Sequence, residues 1–554
     1  MNPYKGLENR WLHPLLLLVW LAIGTGLRLT QLAAKPPWTD EFSTIVFSLG
    51  NSFRAVPLDR AIALDVLLQP LQPNPTAGVT AVVQHLLTES NHPPLYFVLA
   101  HWWMQLWSSF NRSLVDEVWV ARSLSALFGA ASIPAVYGLG WLAFRSRLVS
   151  QLAAAMMAVS PYGIFLAQEA RHYTLAILWV IASLGCLVIA TRHIQHRIRL
   201  PVSVAVSWVG INFIGISTHY FFALTLFAEA IFLIAVGWRQ IREWKIYVVA
   251  AGTLVGCLVW LPAFLQNSHG NELTEWIQTG KHGVLAWISP VFQALAAWIT
   301  MLSLLPVEAP SLPIMLASGF VMLVFFLWAV PILSRGIITQ LKQPATRLMT
   351  QLFAGVVCSA IALFFVFTYA LGVDLTRGAR YNFVYFPAVI VLLGASLAAC
   401  WNTPRKSAQN PGAQKTAVAL IWLMGLVGGL TIVCNLGYQK YYRPDLLVPL
   451  IQQVSHSPVL IATTHKTHVQ TGEMMGIASE FKLSAPATPL FLLAHQDQNP
   501  NTSTAALQHT LTQLPRPLDL WLVNFHAPVE LNGCVAVPQS LPHVNGYDYK
   551  LYRC

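Results

Sequence analysis

The sequence predicts an α-helical polytopic membrane protein that carries a small α/β domain at its C-terminus. Of its 554 residues, 55% are hydrophobic and only 10% are charged, whereas a soluble domain carries about a quarter charged residues. Many apolar stretches reach the roughly 20 residues that a helix needs to cross a hydrocarbon core. From residue 439 onward the pattern changes to short alternating runs of strand length. We therefore expect a membrane part over residues 1–438 and an extracytoplasmic α/β domain over residues 439–554.

The basic residues are distributed as the topology of a membrane protein requires, and their excess does not indicate nucleic-acid binding. The net charge is +11, but Lys and Arg lie in short loops between apolar runs, as the positive-inside rule expects for cytoplasmic loops. There is no basic aromatic surface of the kind that binds nucleic acid. The residues of these loops are Arg145, Arg147, Arg192, Arg197, Arg199, Arg239, Arg242, Lys245, Arg335, Lys342, Arg347, Arg405, Lys406 and Lys415.

Eleven transmembrane helices place all of these basic loops on one side. With eleven spans the N-terminus is cytoplasmic and the C-terminal domain lies outside a plasma or inner membrane. This arrangement, with an odd number of spans, requires that the apolar helix expected over Pro93–Phe110 does not cross the membrane. The expected spans are Trp11–Leu32, Val118–Phe144, Val149–Leu166, His172–Thr191, Val202–Ser217, Tyr220–Trp238, Ile246–Gln266, Leu312–Leu333, Gln351–Val373, Phe383–Cys400 and Thr416–Tyr438.

The first span resembles a signal peptide in part. Lys5 and Arg10 precede the apolar run Leu15–Leu27, as the basic residues of a signal peptide do. The sequence Leu32-Ala33-Ala34 is a poor cleavage site, and ten further spans follow. We therefore expect an uncleaved anchor.

Two long external loops are predicted. The first, residues 33–117, contains apolar stretches broken by prolines, and we expect juxtamembrane helices there. The second, residues 267–311, contains the apolar stretch Gly283–Leu305. This stretch is long enough to enter the membrane, but its composition favours an amphipathic helix lying on the interface.

The C-terminal domain has four expected strands and one expected helix. No motif in it indicates catalysis. Cys534 and Cys554 both lie in it, facing an oxidising compartment, and we expect them to form a disulfide. The strands are Val459–Thr463, Pro489–Ala494, Leu518–Phe525 and Tyr547–Tyr552, and the helix is His468–Phe481.

Five polar clusters, far apart in sequence, fall on the outer face under this topology. Each alone has an ordinary explanation, such as a solvated loop, a helix start with proline in its first turn, an interfacial ion pair or a lipid-headgroup anchor. Their convergence on one face instead favours a functional site. The clusters are Asp40-Glu41, Asn91–Pro94, Gln168–Tyr173, Thr218–Tyr220 and Arg377–Tyr381.

The ordered motifs around these clusters carry a family resemblance. A DE pair after the first span is followed by HPPLYF, SPYGIFLAQEARHY, THYFF and RGARYNFVYFP. This set resembles the bacterial glycosyltransferase family 39 group of the GT-C superfamily, alongside the protein O-mannosyltransferases and the lipid A aminoarabinose transferases. The similarity covers roughly residues 10–400, and the C-terminal domain lies outside it.

The resemblance implies a transferase that takes a sugar from a polyprenyl-phosphate carrier at the outer face of the bilayer. Asp40 corresponds to the general base, and Glu41 is expected to hold the acceptor or orient Asp40. The acceptor is an unidentified glycan, lipid or protein. Arg380, Tyr381, Arg377 and Arg171 are the expected contacts of the donor phosphate. Further substrate contacts are expected from His92, Glu169, His219 and Tyr220.

The chemistry of such a transfer fits these residue types. The acceptor hydroxyl or amine loses a proton as it attacks the anomeric carbon, and a positioned carboxylate that accepts it contributes about 10²–10⁴-fold. Arginine suits the phosphate leaving group because its donors form a rigid fork. The sequence favours a reaction that needs no cofactor, because it has no D-x-D spacing and offers arginines near the acids. If a divalent metal is used, Asp40 and Glu169 are its candidate ligands.

Two other functions compete with this interpretation. A transporter or flippase of lipid-linked sugars places ionisable residues near the bilayer midplane, and Glu229 lies midway along the sixth span. A non-catalytic scaffold that binds envelope polymer would leave Asp40 dispensable. The concentration of polar clusters at one end of the spans favours the transferase.

Overall fold

The structure is a computed structural model, and it describes residues 4–107, 114–237, 244–266, 275–278, 283–402, 412–484, 488–499, 501–529, 531–538 and 541–554. Several expectations fall outside these ranges. They concern the basic residues Arg239, Arg242, Arg405 and Lys406, the C-terminal end of the helix expected over Pro93–Phe110, and parts of the loop 267–311.

The chain is a multi-pass membrane protein. Within the described residues, eight helices are long and apolar enough to cross a membrane, or nine if one bent pair is counted as a span. Each of the eleven expected spans corresponds to a helix or a helix pair. Three of these are apolar helices that are only 10–17 residues long. The eleven crossings themselves stay a prediction. The helices at the expected spans are α1 (Tyr4–Leu29), α6 (Leu114–Phe144), α7 (Arg147–Val159) with α8 (Pro161–Ala167), α9 (Tyr173–His196), α10 (Val202–Thr218), α11 (Phe222–Gly237), α12 (Trp244–Leu258) with α13 (Leu261–Gln266), α15 (Leu312–Lys342), α16 (Pro344–Ala370), α17 (Phe386–Trp401) and α18 (Ala413–Val433).

The third expected span is broken, not continuous. Helices α7 and α8 meet at an angle of 56°, because Pro161 cannot continue the hydrogen-bonding of α7. Ser160 caps α8 by accepting a hydrogen bond from the Gly163 N–H, and its hydroxyl donates to the Met301 carbonyl at 2.7 Å. The bend directs the following turn, Gln168–Arg171, towards the first turn of α2 (Thr39–Ser48).

The expected interfacial helix is α14 (Val284–Leu302), which is also long and apolar enough to be a membrane-span candidate. Near its start, the Trp287 carbonyl accepts a hydrogen bond from Tyr369, at the end of α16. Near its other end, Thr300 bonds with the Tyr438 hydroxyl, just beyond α18. Both contacts lie at the end of the bundle that carries Gln168–Arg171. Ser303, directly after the helix, donates to the Met424 carbonyl inside α18 at 3.0 Å. An interfacial position for α14 stays a prediction.

The first loop and the C-terminal domain form one packed unit. Phe42 and Phe97 from the loop share a core with Met475 and Trp521 from the domain. The two-residue strand β1 (Ile62–Ala63) pairs antiparallel with β3 (Leu490–His495), so that Ile62 lies opposite Phe491. No local pattern in the chain predicts this pairing. The remaining helices of the loop are α3 (Leu64–Leu68), α4 (Val79–Glu89) and α5 (Leu95–Trp107).

The C-terminal domain is a six-stranded sheet whose order is β1-β3-β2-β4-β6-β5. Strands β3, β2 and β4 are parallel, and the other pairs are antiparallel. The four expected strands and the expected helix are all present. Cys534 and Cys554 form the expected disulfide. The elements are β2 (Val459–His465), β4 (Asp519–Val523), β5 (Val535–Ala536), β6 (Tyr549–Arg553), α19 (Pro444–Val454), α20 (His468–Ser484) and α21 (Asn501–Gln513).

Candidate active site

The first turn of α2 carries both acids of the DE pair, and their side chains have different surroundings. The Asp40 side chain is 30% exposed, whereas Glu41 is fully buried. The Trp38 N–H donates to Glu41 Oε2 at 3.4 Å, which ties the start of the helix to its first turn. Acids in this turn also interact favourably with the helix dipole. Asp40 is thus the acid that a substrate can reach.

Glu41 is held by a buried ion pair with Arg122 of α6. Arg122 donates to its two carboxylate oxygens from Nε at 2.7 Å and from Nη2 at 2.8 Å. The Ala170 N–H donates at 2.9 Å. Burial raises the pKa of Glu41, but the charges of Arg122 and Lys440 outweigh this and hold the pKa well below its usual value. Because its carboxylate is so enclosed, the structure favours the second of the two expected roles of Glu41, that of orienting Asp40.

Asp40 faces two guanidinium groups. Its Oδ2 lies 3.4 Å from Nη2 of Arg171 and 3.9 Å from Nη2 of Arg380. Arg171 also donates to the Asp40 carbonyl at 3.0 Å and to the Thr44 hydroxyl at 3.2 Å. Two residues more than 200 positions apart therefore meet at one carboxylate, as the convergence of clusters predicts.

Aromatic rings enclose Arg380. Its guanidinium carbon lies 4.5 Å from the ring centre of Trp38, 5.1 Å from that of Trp276 and 5.5 Å from that of Tyr381. Such contacts hold a guanidinium in place without using its donors. Within the described part of the chain, the buried Nε atoms of Arg380 and Arg171 have no hydrogen-bond partner. The two arginines therefore keep donor capacity for a ligand.

Arg377 has a different place from the one expected. Its guanidinium donates to the carbonyls of Trp276 and Gln278, at 2.6 and 3.3 Å, and lies 3.3 Å from Asp374. These contacts hold the segment that presents Trp276 to Arg380. We therefore assign Arg377 to positioning and not to direct phosphate contact.

Glu169 pairs with a residue that the sequence interpretation missed. Lys440, in the segment leading into the C-terminal domain, forms an ion pair with Glu169 Oε1 and lies 3.5 Å from Glu41 Oε2. Its ammonium group also lies 5.4 Å from the ring centre of Trp38. The available signal was a lone Lys just beyond the last apolar run, beside two tyrosines.

The expected histidines line the site next to Arg171. His92 Nε2 accepts a hydrogen bond from Arg171 Nη2 at 2.8 Å. The His219 ring packs edge-on against the His172 ring, with ring centres 4.5 Å apart, and lies tilted against Phe383 at 4.9 Å. Burial, together with the neighbouring arginines, lowers the pKa of His92, His172 and His219 well below 6.5. These imidazoles are therefore neutral.

The two expected tyrosines lie apart. Tyr381 is buried beside Arg380 and Phe221, whose ring centre is 4.6 Å away. Tyr220 packs on Trp260, with ring centres 6.3 Å apart. Tyr381 thus belongs to the wall around Arg380, while Tyr220 belongs to the packing between α11 and α12.

The acids of the site do not fit a divalent cation. Asp40 faces two arginines, and Glu41 and Glu169 are paired with Arg122 and Lys440. A metal would have to displace these cations. In the described ranges, no three His, Cys, Asp or Glu side chains lie close enough to hold a metal ion. We derive no step through a metal.

The chain is similar in structure to solved membrane transferases. ArnT from Cupriavidus metallidurans, bound to undecaprenyl phosphate, matches with a TM-score of 0.49 and 11% identity, over 97% of each chain. The apo oligosaccharyltransferase of Archaeoglobus fulgidus matches with a TM-score of 0.48 and 13% identity, over 93% of this chain and 69% of that one. No protein-family model and no curated protein matches the chain. At this identity we take no residue role from the likeness.

Proposed function

We propose that the chain is a membrane glycosyltransferase that moves a sugar from a polyprenyl-phosphate carrier to an acceptor on the outer face of the membrane. The observation that carries the proposal is the accessible Asp40 carboxylate beside the two guanidinium groups of Arg171 and Arg380. The same place thus offers an acceptor for a proton and two fixed positive charges for an anionic leaving group. The narrower resemblance to family 39 rests on the sequence motifs.

The proposed reaction is a single displacement that inverts the anomeric centre. The acceptor hydroxyl or amine attacks the anomeric carbon, and its proton passes to Asp40. The bond between that carbon and the phosphate oxygen breaks, and its electron pair leaves with the phosphate. Arg171 and Arg380 neutralise the growing negative charge through charge-assisted hydrogen bonds.

Asp40 and the phosphate would share the same cations. In the free protein both guanidinium groups face the Asp40 carboxylate. A donor phosphate that binds Arg171 and Arg380 would therefore lie directly beside the proposed base. The same two side chains would bind the leaving group and bring the anomeric carbon within reach of an acceptor held by Asp40.

The lipid carrier fits the position of the site in the helical bundle. Arg380 follows α16 and precedes α17, at the level where the apolar helices end. A polyprenyl chain can lie along apolar helix surfaces while its phosphate reaches the arginines at the interface. We also propose that the protein lies in an inner or plasma membrane with its N-terminus in the cytoplasm. This orientation is based on the basic loops.

The test is turnover of a defined donor. The full chain in liposomes is incubated with polyprenyl-phosphate hexoses, pentoses and amino sugars together with envelope glycolipid extract, and release of polyprenyl phosphate is measured. We expect sugar release from at least one donor only when extract is present. If every donor survives intact while the donor lipid moves between leaflets, the chain is a transporter and the proposal fails.

A further inference from the structure

The C-terminal domain contains a polar cavity of about 650 Å³, outside the cluster around Asp40. Small-molecule sites occupy about 300–1,000 Å³, so its volume suits a small ligand. The cavity lies at the carboxyl ends of the parallel strands. Thr464 comes from the end of β2, Gln496 follows β3, and Asn524 and His526 follow β4.

This position is a switch point of the sheet. The chain runs from β2 to β3 on one side, and then crosses through α21 to β4 on the other side of β2. Helix α20 packs on one face of the sheet and α21 on the opposite face. The crevice at the carboxyl ends of the strands at such a point is where open α/β sheets bind ligands.

The lining combines hydrogen-bonding groups with aromatic rings. Glu473 is buried and accepts hydrogen bonds from the Tyr442 hydroxyl and, at 3.3 Å, from the Asn524 amide. The rings of Tyr441, Tyr442 and Tyr547 form a neighbouring series, with centres 5.2 and 5.5 Å apart. Such a wall can stack on the C–H faces of a sugar ring, while amides and carboxylates bond with its hydroxyl groups.

The backbone beside the cavity is firmly held. Asn524 adopts a left-handed backbone conformation, with a φ of 50°, which is uncommon for a residue other than glycine. It is fixed there because it exchanges hydrogen bonds with Asp548, at 2.7 and 2.8 Å. Tyr547, which is 4% exposed, packs against Tyr442 and forms a fixed part of the wall. The cavity is therefore built into the domain and is not a surface irregularity.

The cavity adjoins the candidate active site along two paths. Tyr441 and Tyr442 directly follow Lys440, which pairs with Glu169. Gly472, next to Glu473, packs so closely on α2 that a methyl group there would lie 3.2 Å from the Cα of Thr39, the neighbour of Asp40. The residues that line the cavity are thus linked to the candidate active site through Lys440 and through the packing of Gly472 on α2.

We propose that this cavity binds a neutral saccharide, which in the proposed transferase belongs to the acceptor. A neutral saccharide is favoured over an acidic one, because the lining has two carboxylates, Glu473 and Asp548, and one lysine, Lys466. The assignment to the acceptor rests on the proposed function, whereas saccharide binding can be measured without any transfer.

The test uses the full chain in lipid nanodiscs, which avoids sugar-based detergents. Binding of maltose, N,N′-diacetylchitobiose, a uronic-acid disaccharide and a glucosamine disaccharide is measured by saturation-transfer NMR and titration. We expect a neutral disaccharide to bind. Tyr441→Ala should weaken it about tenfold, the factor expected for the loss of one aromatic contact, without lowering the melting temperature, since Tyr441 is 72% exposed. Tyr552→Phe, on the other face of the sheet, should bind like the wild type.

The outcomes separate this inference from the proposed function. Asp40→Asn should bind the disaccharide normally, because the cavity does not include Asp40. If no neutral disaccharide binds, or if Tyr441→Ala binds as well as the wild type, the saccharide site is overturned while donor turnover is unaffected. If the disaccharide binds but no donor sugar is ever released, the saccharide site holds and the proposed transferase fails.

Discussion

Arg122 and Glu41 form a doubly hydrogen-bonded ion pair, 2.7 and 2.8 Å long, in which both side chains are buried. Arg122 also donates to the carbonyls of Leu32 and Lys35, at 2.8 and 2.9 Å. One side chain of α6 thus fixes both the end of the first membrane helix and the turn that carries Asp40. The acid next to the proposed base is the anchor of the site.

We predict that Glu41→Gln lowers the stability of the protein and affects the transfer reaction only through this loss of stability. Removing one partner of a buried ion pair leaves the other charge uncompensated, which costs about 3–5 kcal/mol. Thermal unfolding in nanodiscs measures this loss. Asp65→Asn is the matched control, since Asp65 forms an exposed pair with Lys482 at 3.8 Å and such pairs contribute about 0–1 kcal/mol. A stable but inactive Glu41→Gln would instead show that Glu41 takes part in the reaction.

Arg380→Lys is predicted to weaken donor binding although it keeps the charge. Lysine lacks the planar fork of donors and cannot stack on Trp38 and Trp276 in the same way. The expected increase in the apparent donor Kd is about tenfold or more. Arg377→Lys serves as the comparison and should have a smaller effect, because that side chain holds carbonyls of the neighbouring segment. Equal donor affinity in Arg380→Lys and the wild type would remove Arg380 from the phosphate site.

Lys440 and Glu169 are predicted to be energetically coupled. Lys440→Met removes the cation that pairs with Glu169, and Glu169→Gln leaves Lys440 with its longer contact to Glu41, at 3.5 Å. The double variant removes both charges, so its loss of stability should be smaller than the sum of the single losses by about 1–3 kcal/mol. A double-mutant cycle on unfolding free energies measures this difference. Strict additivity would contradict the pair.

The buried histidines predict a loss of stability in acid. The pKa of His172 lies well below 6.5 in the folded chain, so below that pH the unfolded chain binds protons that the folded chain does not. Stability is then fully present above about pH 6.5 and falls as the pH drops, by up to about 1.4 kcal/mol per pH unit for each such group. His172→Phe should make the fall shallower by that amount. His456→Gln, on the surface, should leave the slope unchanged.

The sequence predicted the convergence of the polar clusters, because local pattern and topology combine there. Apolar length and basic loops placed Asp40, Arg171 and Arg380 at one end of the helices, and the structure brings them together. The domain strands followed from alternating runs such as Val459–Thr463. These features can be read from a single sequence, because they depend on the periodicity of its apolar residues and on the distribution of its basic residues.

Other features depend on contacts between distant segments and could not be predicted. Lys440 meets Glu169 across 271 positions, and no local pattern marks it. The different roles of Asp40 and Glu41 depend on which side of α2 faces Arg122. The strand Ile62–Ala63 has two residues and forms only because β3 offers an edge. The bend at Ser160-Pro161 had a local signal in Pro161, but the apolar run around it favoured a straight span.

The most direct test is transfer by Asp40→Asn in liposomes, with a donor that the wild type uses. Asparagine keeps the size of the side chain and removes its capacity to accept the proton. We predict that transfer falls by about 10²–10⁴-fold, while thermal stability and donor affinity remain close to those of the wild type. Transfer at the wild-type rate in a well-folded Asp40→Asn protein would contradict the account, because Asp40 would then not be the base.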